Sequence, residues 1–143
     1  MKKAAILLVA LVIFASAVLM YGCATGETVT RVDEDGVAYA AVLDDDGKEI
    51  KRTYHGLDGR VVLRCEFEYD ADGNKVKQTR YGEGGGISSE MLYGANGNET
   101  RRTWYNSDGG VVYWHESEYD ADGKEILRTY YNADGEIVNV KEY

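Results

Sequence analysis

The stretch YDADGKEILRTYYNADGEIV, residues 119–138, contains nearly the same five letters twice. YDADG at 119–123 returns twelve residues later as YNADG at 131–135. Aspartate directly before glycine is typical of a two-residue type I′ hairpin turn, because both central residues of that turn need a positive φ. The stretch therefore predicts two hairpin turns with one β-strand between them.

The same turn signal recurs along the chain at nearly constant spacing. From Gly47 onward the intervals between turn glycines are 12, 14, 12, 12, 12, 14 and 12 residues, and no proline or helical pattern interrupts them. We predict an all-β antiparallel meander of about eight to nine strands joined by tight Asp-Gly or Asn-Gly turns, either a single twisted sheet or a partly closed barrel. The glycines predicted to shape these turns are Gly47, Gly59, Gly73, Gly97, Gly109, Gly123 and Gly135.

A block of 50 residues is duplicated in this region. Residues 47–93, aligned without gaps to 97–143, are identical at 20 of 47 positions. We therefore predict a repeat domain over 32–143 with duplicated blocks at 47–96 and 97–143. A tyrosine stands four residues before the turn glycine in six hairpins, and we expect these tyrosines to pack in rows across the sheet. They are Tyr69, Tyr81, Tyr93, Tyr105, Tyr119 and Tyr131.

The beginning of the chain has the anatomy of an export signal. Lys2 and Lys3 precede 18 residues without a charge, and Gly22-Cys23 follows. This arrangement resembles the lipobox of bacterial lipoproteins, in which the cysteine thiol receives a diacylglyceryl group. The resemblance implies a signal peptide over 1–22, which we expect to be helical, and lipidation of Cys23. We assign residues 23–31 to a linker. Ordinary cleavage after Ala24 and an uncleaved membrane anchor are the alternatives.

Charge and cysteine content restrict the possible partners. Cleavage before Cys23 removes two of the 16 basic side chains and leaves 14 against 25 acidic ones, a net charge of −11. Such a charge repels nucleic acid and anionic lipid head groups, so we expect no nucleic-acid partner. The other cysteine is Cys65, which would have no disulfide partner once Cys23 is lipidated.

Three turn segments resemble the YD repeats of the RHS family: YDADGN at 69–74, YDADGK at 119–124 and YNADG at 131–135. The resemblance covers about residues 43–143. It implies an exported, nonenzymatic β-repeat of a kind that encloses a toxin in large members of the family and has been linked to carbohydrate binding. TWYNSDG at 103–109 and RTYYNADG at 128–135 are also similar to the aromatic-rich repeats of bacterial cell-wall-binding modules.

Few residues suggest catalysis or a metal site. The positions of His55 and His115 are occupied in the other block by Tyr105 and Cys65, so neither histidine is repeated. The acidic turn at 68–73 imitates the first half of a calcium loop, but the twelfth position lacks the bidentate glutamate. We therefore expect no enzyme activity, no cofactor and no metal.

Two functional hypotheses follow. In the first, the chain is a nonenzymatic surface interaction or structural module of the cell envelope, tethered through lipid on Cys23 to the outer membrane or cell surface; it would be secreted if Cys23 is not lipidated. In the second, it binds carbohydrate or cell-wall glycan, with Trp104, Trp114 and Tyr113 stacking on sugar rings. Trp114 alternates with Glu116, so we expect it on the more polar face of its strand.

Overall fold

The structure, a computed structural model, describes residues 26–143, which form one antiparallel sheet of ten strands. The predicted all-β meander is thus confirmed as a single open sheet, with ten strands instead of about eight to nine. The signal helix predicted over 1–22 and the lipidation site Cys23 lie outside the described residues. The strands are β1 (Glu27–Val32), β2 (Ala38–Leu43), β3 (Glu49–His55), β4 (Val61–Tyr69), β5 (Lys75–Tyr81), β6 (Ile87–Tyr93), β7 (Glu99–Tyr105), β8 (Val111–Tyr119), β9 (Glu125–Asn132) and β10 (Ile137–Glu142).

Strand β1 overlaps the segment that the sequence assigned to a linker, 23–31. Its six residues pair in register with β2, from Glu27 opposite Leu43 to Val32 opposite Ala38. The linker assignment is therefore wrong from Glu27 onward. No turn glycine precedes β1 at the repeat interval, so the spacing gave no signal for this strand. The duplicated blocks 47–96 and 97–143 contain four strands each, β3 to β6 and β7 to β10.

The turns differ from the predicted two-residue type. In the β2–β3 hairpin the Asp44 N–H donates to the Lys48 carbonyl (2.8 Å) and the Gly47 N–H donates to the Asp44 carbonyl (3.0 Å). These bonds define a three-residue loop that ends in one left-handed glycine, with φ of 78° at Gly47. The type I′ assignment is wrong, whereas all seven predicted turn glycines have positive φ. Gly36 and Gly85 complete the set of nine.

An aspartate or asparagine three residues before the glycine holds most of these loops. Asp44 Oδ1 accepts hydrogen bonds from the N–H groups of Asp46 (3.1 Å) and Lys48 (2.8 Å). Six of the nine turns have such a residue, whose Oδ1 accepts the N–H four residues on: Asp33, Asp44, Asp70, Asn106, Asp120 and Asn132. Glycine stands at this position in the other three, Gly56, Gly82 and Gly94. This side chain is the signal that favours the three-residue loop.

A β-bulge follows eight of the nine turns. In the β2–β3 pair Val42 lies opposite Lys51 but Leu43 lies opposite Glu49, so Ile50 has no partner. The corresponding unpaired residue is always the third after the turn glycine: Ile50, Val62, Val76, Ser88, Thr100, Val112, Ile126 and Val138. Because each bulge shifts the alternation by one residue and increases the local twist, side chains three apart come to the same face.

The two faces of the sheet are unequal. Opposed residues share a face, so Phe67, Gln78, Met91, Arg102, His115 and Tyr130 form one row on what we call face A. Face A holds most of the buried residues, namely Tyr39, Ala41, Cys65, Gln78, Ser89, Met91, His115 and Ser117. The opposite surface, face B, buries Thr79 and Thr103. Within residues 26–143 no second layer covers face A, so its burial comes from long side chains of the same sheet, such as the Arg52 guanidinium 4.3 Å from the ring centroid of Tyr39.

The repeated tyrosines form two rows on opposite faces. Tyr69, Tyr93 and Tyr119 lie on face A, and Tyr81, Tyr105 and Tyr131 lie on face B. One hairpin of a meander is brought onto the next by a shift of one strand and a half-turn about an axis that lies in the sheet, perpendicular to the strands. This half-turn exchanges the two faces at each step. The tyrosines that precede alternate turns therefore share a row.

Candidate functional site

The three aromatic residues predicted to stack on sugar do not form one site. Trp104 and Tyr113 stack on each other on face A, with ring centroids 4.4 Å apart at 19°. Trp114 lies on face B, as expected from its alternation with Glu116. It stacks on Tyr131 at 5.1 Å, and the Arg101 guanidinium lies 5.0 Å from its ring centroid. Each tryptophan thus already has an aromatic partner within the sheet.

The tyrosines of face B are fixed by neighbouring glutamates. Their hydroxyls donate to a carboxylate fifteen residues earlier: Tyr81 to Glu66 (2.8 Å), Tyr105 to Glu90 (2.7 Å) and Tyr131 to Glu116 (3.3 Å). Lys77 Nζ lies 2.8 Å from Glu90. Burial acts to raise the pKa of Glu90, but hydrogen bonds from Lys77 and Tyr105 together lower it. The row is a ladder of charged and aromatic groups held in defined positions.

Tyr105 differs from the other two tyrosines of this row in what lies against its ring. The Arg64 guanidinium lies 3.9 Å from the ring centroid of Tyr81, and Trp114 stacks on Tyr131. Neither a ring nor a cation stacks on Tyr105 within residues 26–143. Its ring instead borders a shallow depression of about 300 Å³. The depression is lined by Gly82, Gly84, Gly86, Ile87, Ser88, Tyr105, Asn106 and Ser107.

Glycines of the β5–β6 turn leave this depression open. The turn reads GEGGG over 82–86, and only Gly85 has a positive φ (76°). A Cβ atom added at Gly82, Gly84 or Gly86 would meet no heavy atom within 4 Å. The backbone therefore does not require these three glycines. Sequence reasoning missed the site although the departure of 82–86 from the repeated turn pattern was the available signal.

Face A carries a ladder of glutamate–arginine pairs. Arg52 Nε donates to Glu49 Oε1 at 2.6 Å, and Arg128 Nε donates to Glu125 Oε1 at 2.7 Å. The equivalent pair on β7 is Glu99 and Arg102. These partners are three residues apart in strands, where they would normally point to opposite faces, and the bulge between them places them together. On β5 the same positions hold Lys75 and Gln78.

His115, one of the two histidines considered for catalysis, lies beside this ladder. Its side chain is 5% exposed, with Nε2 3.4 Å from Glu99 Oε1 and the Trp104 and Tyr130 rings at 5.4 and 5.6 Å. Burial acts to raise the pKa of Glu99, but the adjacent His115 ring and the hydrogen-bonded Arg102 guanidinium outweigh it and lower the pKa. The other histidine, His55, is exposed at the end of β3. The structure does not bring the two histidines together.

A second depression, of about 420 Å³, lies near the β1–β2 turn. It is lined by Val32, Asp33, Glu34, Asp35, Tyr39, Arg52 and Tyr54. The Tyr39 ring in this depression is covered by the Arg52 guanidinium, which also donates to the Tyr54 hydroxyl at 3.3 Å. Its aromatic surface is therefore occupied from within the sheet.

The two outer strands leave main-chain groups unpaired. Among the described strands β1 pairs with β2 alone and β10 with β9 alone. All six residues of β10 are exposed, including Ile137 (61%), Val138 (60%) and Val140 (49%). An edge of this kind offers backbone donors and acceptors beside apolar side chains.

Other features of residues 26–143 bear on membranes, metals and redox chemistry. No helix in this part of the chain is long and apolar enough to cross a membrane. No three side chains of His, Cys, Asp or Glu in it converge as metal ligands would. Cys65 is buried and free, and burial raises the pKa of its thiol.

Comparison with known proteins finds similarity to solved structures. No protein-family model and no curated protein sequence matches the chain. TarM is similar over 78% of this chain and 21% of its own, with 8% identity and a TM-score of 0.48. The GtfA/B complex bound to UDP and GlcNAc matches 80% of this chain and 24% of its own, with 18% identity and a TM-score of 0.42. A Bacteroides fragilis protein of unknown function matches 83% of this chain and 94% of its own, with 13% identity and a TM-score of 0.44. This chain therefore spans less than a quarter of the length of the first two, and similarities this weak carry no argument about function.

Proposed function

We propose that the chain is an exported, nonenzymatic interaction module anchored in the cell envelope by lipid on Cys23. The apolar run followed by Gly22-Cys23 supports export and lipidation. Strand β1 begins at Glu27, only four residues after Cys23, so the anchor would hold the sheet by its first edge. We also propose that the hairpin unit is related to the YD repeats of the RHS family, whose exported β-repeats fit this class of function.

The observation that carries the proposal is the exposed edge of β10. Within residues 26–143 no strand pairs with its outer side, and three of its six residues are exposed valine or isoleucine. Extended peptides add to such edges as an extra strand, with main-chain hydrogen bonds supplying affinity. The anchor lies at β1, so β10 is the edge farther from the membrane. We infer that β10 receives an extended segment of an envelope protein.

Membrane tethering is tested by Cys23→Ser in the full-length protein. We expect the variant to move from the membrane fraction to the soluble fraction and to lose labelling by palmitate, because the thiol that carries the lipid is gone. Unchanged palmitate labelling of the variant would show that Cys23 is not the lipidation site.

The docking edge is tested by placing a photo-crosslinking amino acid at Val140 in the cells that express the protein. Glu68 on β4 is the matched control, because it is also exposed but lies in the middle of the sheet. We expect a discrete protein adduct from position 140 and none from position 68. Equal adducts from both positions, or none from either, would contradict docking at the edge.

Binding of cell-wall glycan is the second candidate function. The observation that favours it is the Tyr105 ring, which lines the depression at 82–88 and on which no other ring and no cation of residues 26–143 stacks. Exposed aromatic faces bind the apolar face of a sugar ring, and polar groups around them fix its orientation.

A further inference from the structure

We propose that the depression beside Tyr105 is a binding site for a single neutral pyranose ring of a glycan chain. The proposal rests on the second candidate function and assigns it to a site away from Trp104, Tyr113 and Trp114. It stands on three observations: the glycines that open the depression, the orientation of the Tyr105 ring, and the charges around it.

The glycines at 82, 84 and 86 break the turn pattern of this protein without a backbone reason. In six of nine turns the first position holds an aspartate or asparagine that bonds the loop. Three turns have glycine there, and of these the β5–β6 turn alone also has glycine at its third and fifth positions, Gly84 and Gly86. Glycine at a position with ordinary φ destabilises the fold through backbone entropy. Residues that lower stability at their own position are expected at functional sites. Here the result is open space beside an aromatic ring.

The Tyr105 ring is held in place before any ligand arrives. Its hydroxyl donates to Glu90 Oε2 at 2.7 Å, and Lys77 Nζ holds the same carboxylate at 2.8 Å. A fixed ring loses little conformational entropy on binding. In the equivalent tyrosines of the row, the Arg64 guanidinium lies over the Tyr81 ring and the Trp114 ring stacks on Tyr131.

The rim of the depression determines the class of ligand. Asn106 and Ser107 of the β7–β8 turn and the glycines of the β5–β6 turn line the depression, so its lining is uncharged and polar. Glu83 stands exposed in the β5–β6 turn, and the Glu90 carboxylate accepts the hydrogen bond of the Tyr105 hydroxyl, so the negative charges nearby disfavour anionic sugars. A volume of about 300 Å³ is at the lower end of ligand sites and suits one ring. The ligand is therefore a neutral pyranose.

The test is a titration of the full-length protein, in a detergent without a sugar head group, with cellotetraose and with chitotetraose. NMR resonances of labelled tyrosine rings report which ring the oligosaccharide contacts. We expect the resonance of one tyrosine ring to shift when the oligosaccharide binds the wild type. Spectra of Tyr105→Phe recorded with the same label should lack this resonance, which assigns it to Tyr105. Tyr105→Phe should still bind, because it keeps the aromatic face.

Two variants remove the site in different ways. Tyr105→Ala should weaken binding at least about tenfold, because the stacking surface is lost. Gly82→Asn should also weaken binding, because its side chain fills the open space, yet it should raise the melting temperature by restoring the hydrogen bonds of the other turns. Trp114→Ala on the same face should leave affinity unchanged. The melting temperature of every variant shows whether it is folded.

Each outcome has a distinct meaning. Binding that survives Tyr105→Ala but is lost in Trp114→Ala would overturn this assignment and leave the glycan-binding function standing. No binding of either oligosaccharide by the wild type would overturn both. Crosslinking of a protein partner through the residue at 105 would show that the depression receives a protein side chain instead of sugar.

Discussion

Gly97 and Gly84 are both turn glycines, but the backbone requires glycine at only one of them. Gly97 has a φ of 79°, whereas Gly84 lies outside the left-handed region, and a Cβ atom at either position would meet no heavy atom within 4 Å. We expect Gly97→Ala to lower the free energy of unfolding by about 1–2 kcal/mol, because alanine is strained at positive φ. Gly84→Ala should raise it by about 0.4–1 kcal/mol, because alanine reduces the entropy of the unfolded chain.

Denaturant unfolding of the two alanine variants checks this pair of predictions. The substitution is the same in both, so a difference of sign isolates the backbone conformation. If both variants lose the same free energy of unfolding, the positive φ of Gly97 is not the reason that glycine is needed there.

Within a strand, the bulge converts a spacing of three residues into a pair on one face. Glu99 and Arg102 are such a pair, and His115 contacts the same carboxylate. The pKa of Glu99 is lowered, so its contribution to stability is fully present above the unfolded value of 4.5 and is lost as the pH falls through the folded pKa. We expect Glu99→Gln to destabilise the protein by roughly 1–2 kcal/mol at pH 7, and this difference from the wild type to shrink below about pH 4.5.

Urea unfolding between pH 3 and pH 7 measures this dependence. Glu68→Gln is the control, because the Glu68 side chain is 63% exposed and its ion pair with Lys77 is solvated. We expect the control to follow the wild-type curve at every pH. If the free energy of unfolding of Glu99→Gln runs parallel to that of the wild type at every pH, protonation of Glu99 does not account for the loss of stability in acid.

At the scale of the whole molecule, the sheet behaves as a one-dimensional array. Within residues 26–143 the backbones of two strands lie in contact only where the strands are neighbours in the sequence, from β1·β2 to β9·β10. Such arrays open from their ends, because a terminal strand has one interface and an inner strand has two. We expect amide hydrogen exchange to be fastest in β1 and β10 and slowest in β4 to β8. Mass spectrometry of peptic fragments measures it, and uniform protection across the ten strands would contradict an array of this kind.

The sequence predicted the features that depend on short-range pattern. Turn glycines at intervals of 12 and 14 residues and the duplicated block were enough for the meander. The turn type was not predicted, because Asp-Gly fits two hairpin classes. The side chain that favours the three-residue loop in six of the turns, such as Asp44, stands two positions before the Asp-Gly pair. The bulges were also missed, so the tyrosines could not be divided between faces. The site at Tyr105 depends on which neighbours cover its ring, and this is a property of the folded sheet.

The order of the strands also has a mechanical consequence. In an anchored protein Cys23 would hold the β1 edge, while β10 lies nine strand spacings away, a reach of about 43 Å at roughly 4.8 Å per spacing. A pull on β10 away from the anchor runs across the strands, so it loads the hydrogen bonds of one strand pair at a time and peels the sheet from its outer edge. Each detached hairpin arm of 12 residues releases up to about 40 Å of chain. The protein would therefore yield by successive extension under tension and keep its attachment while the partner moves.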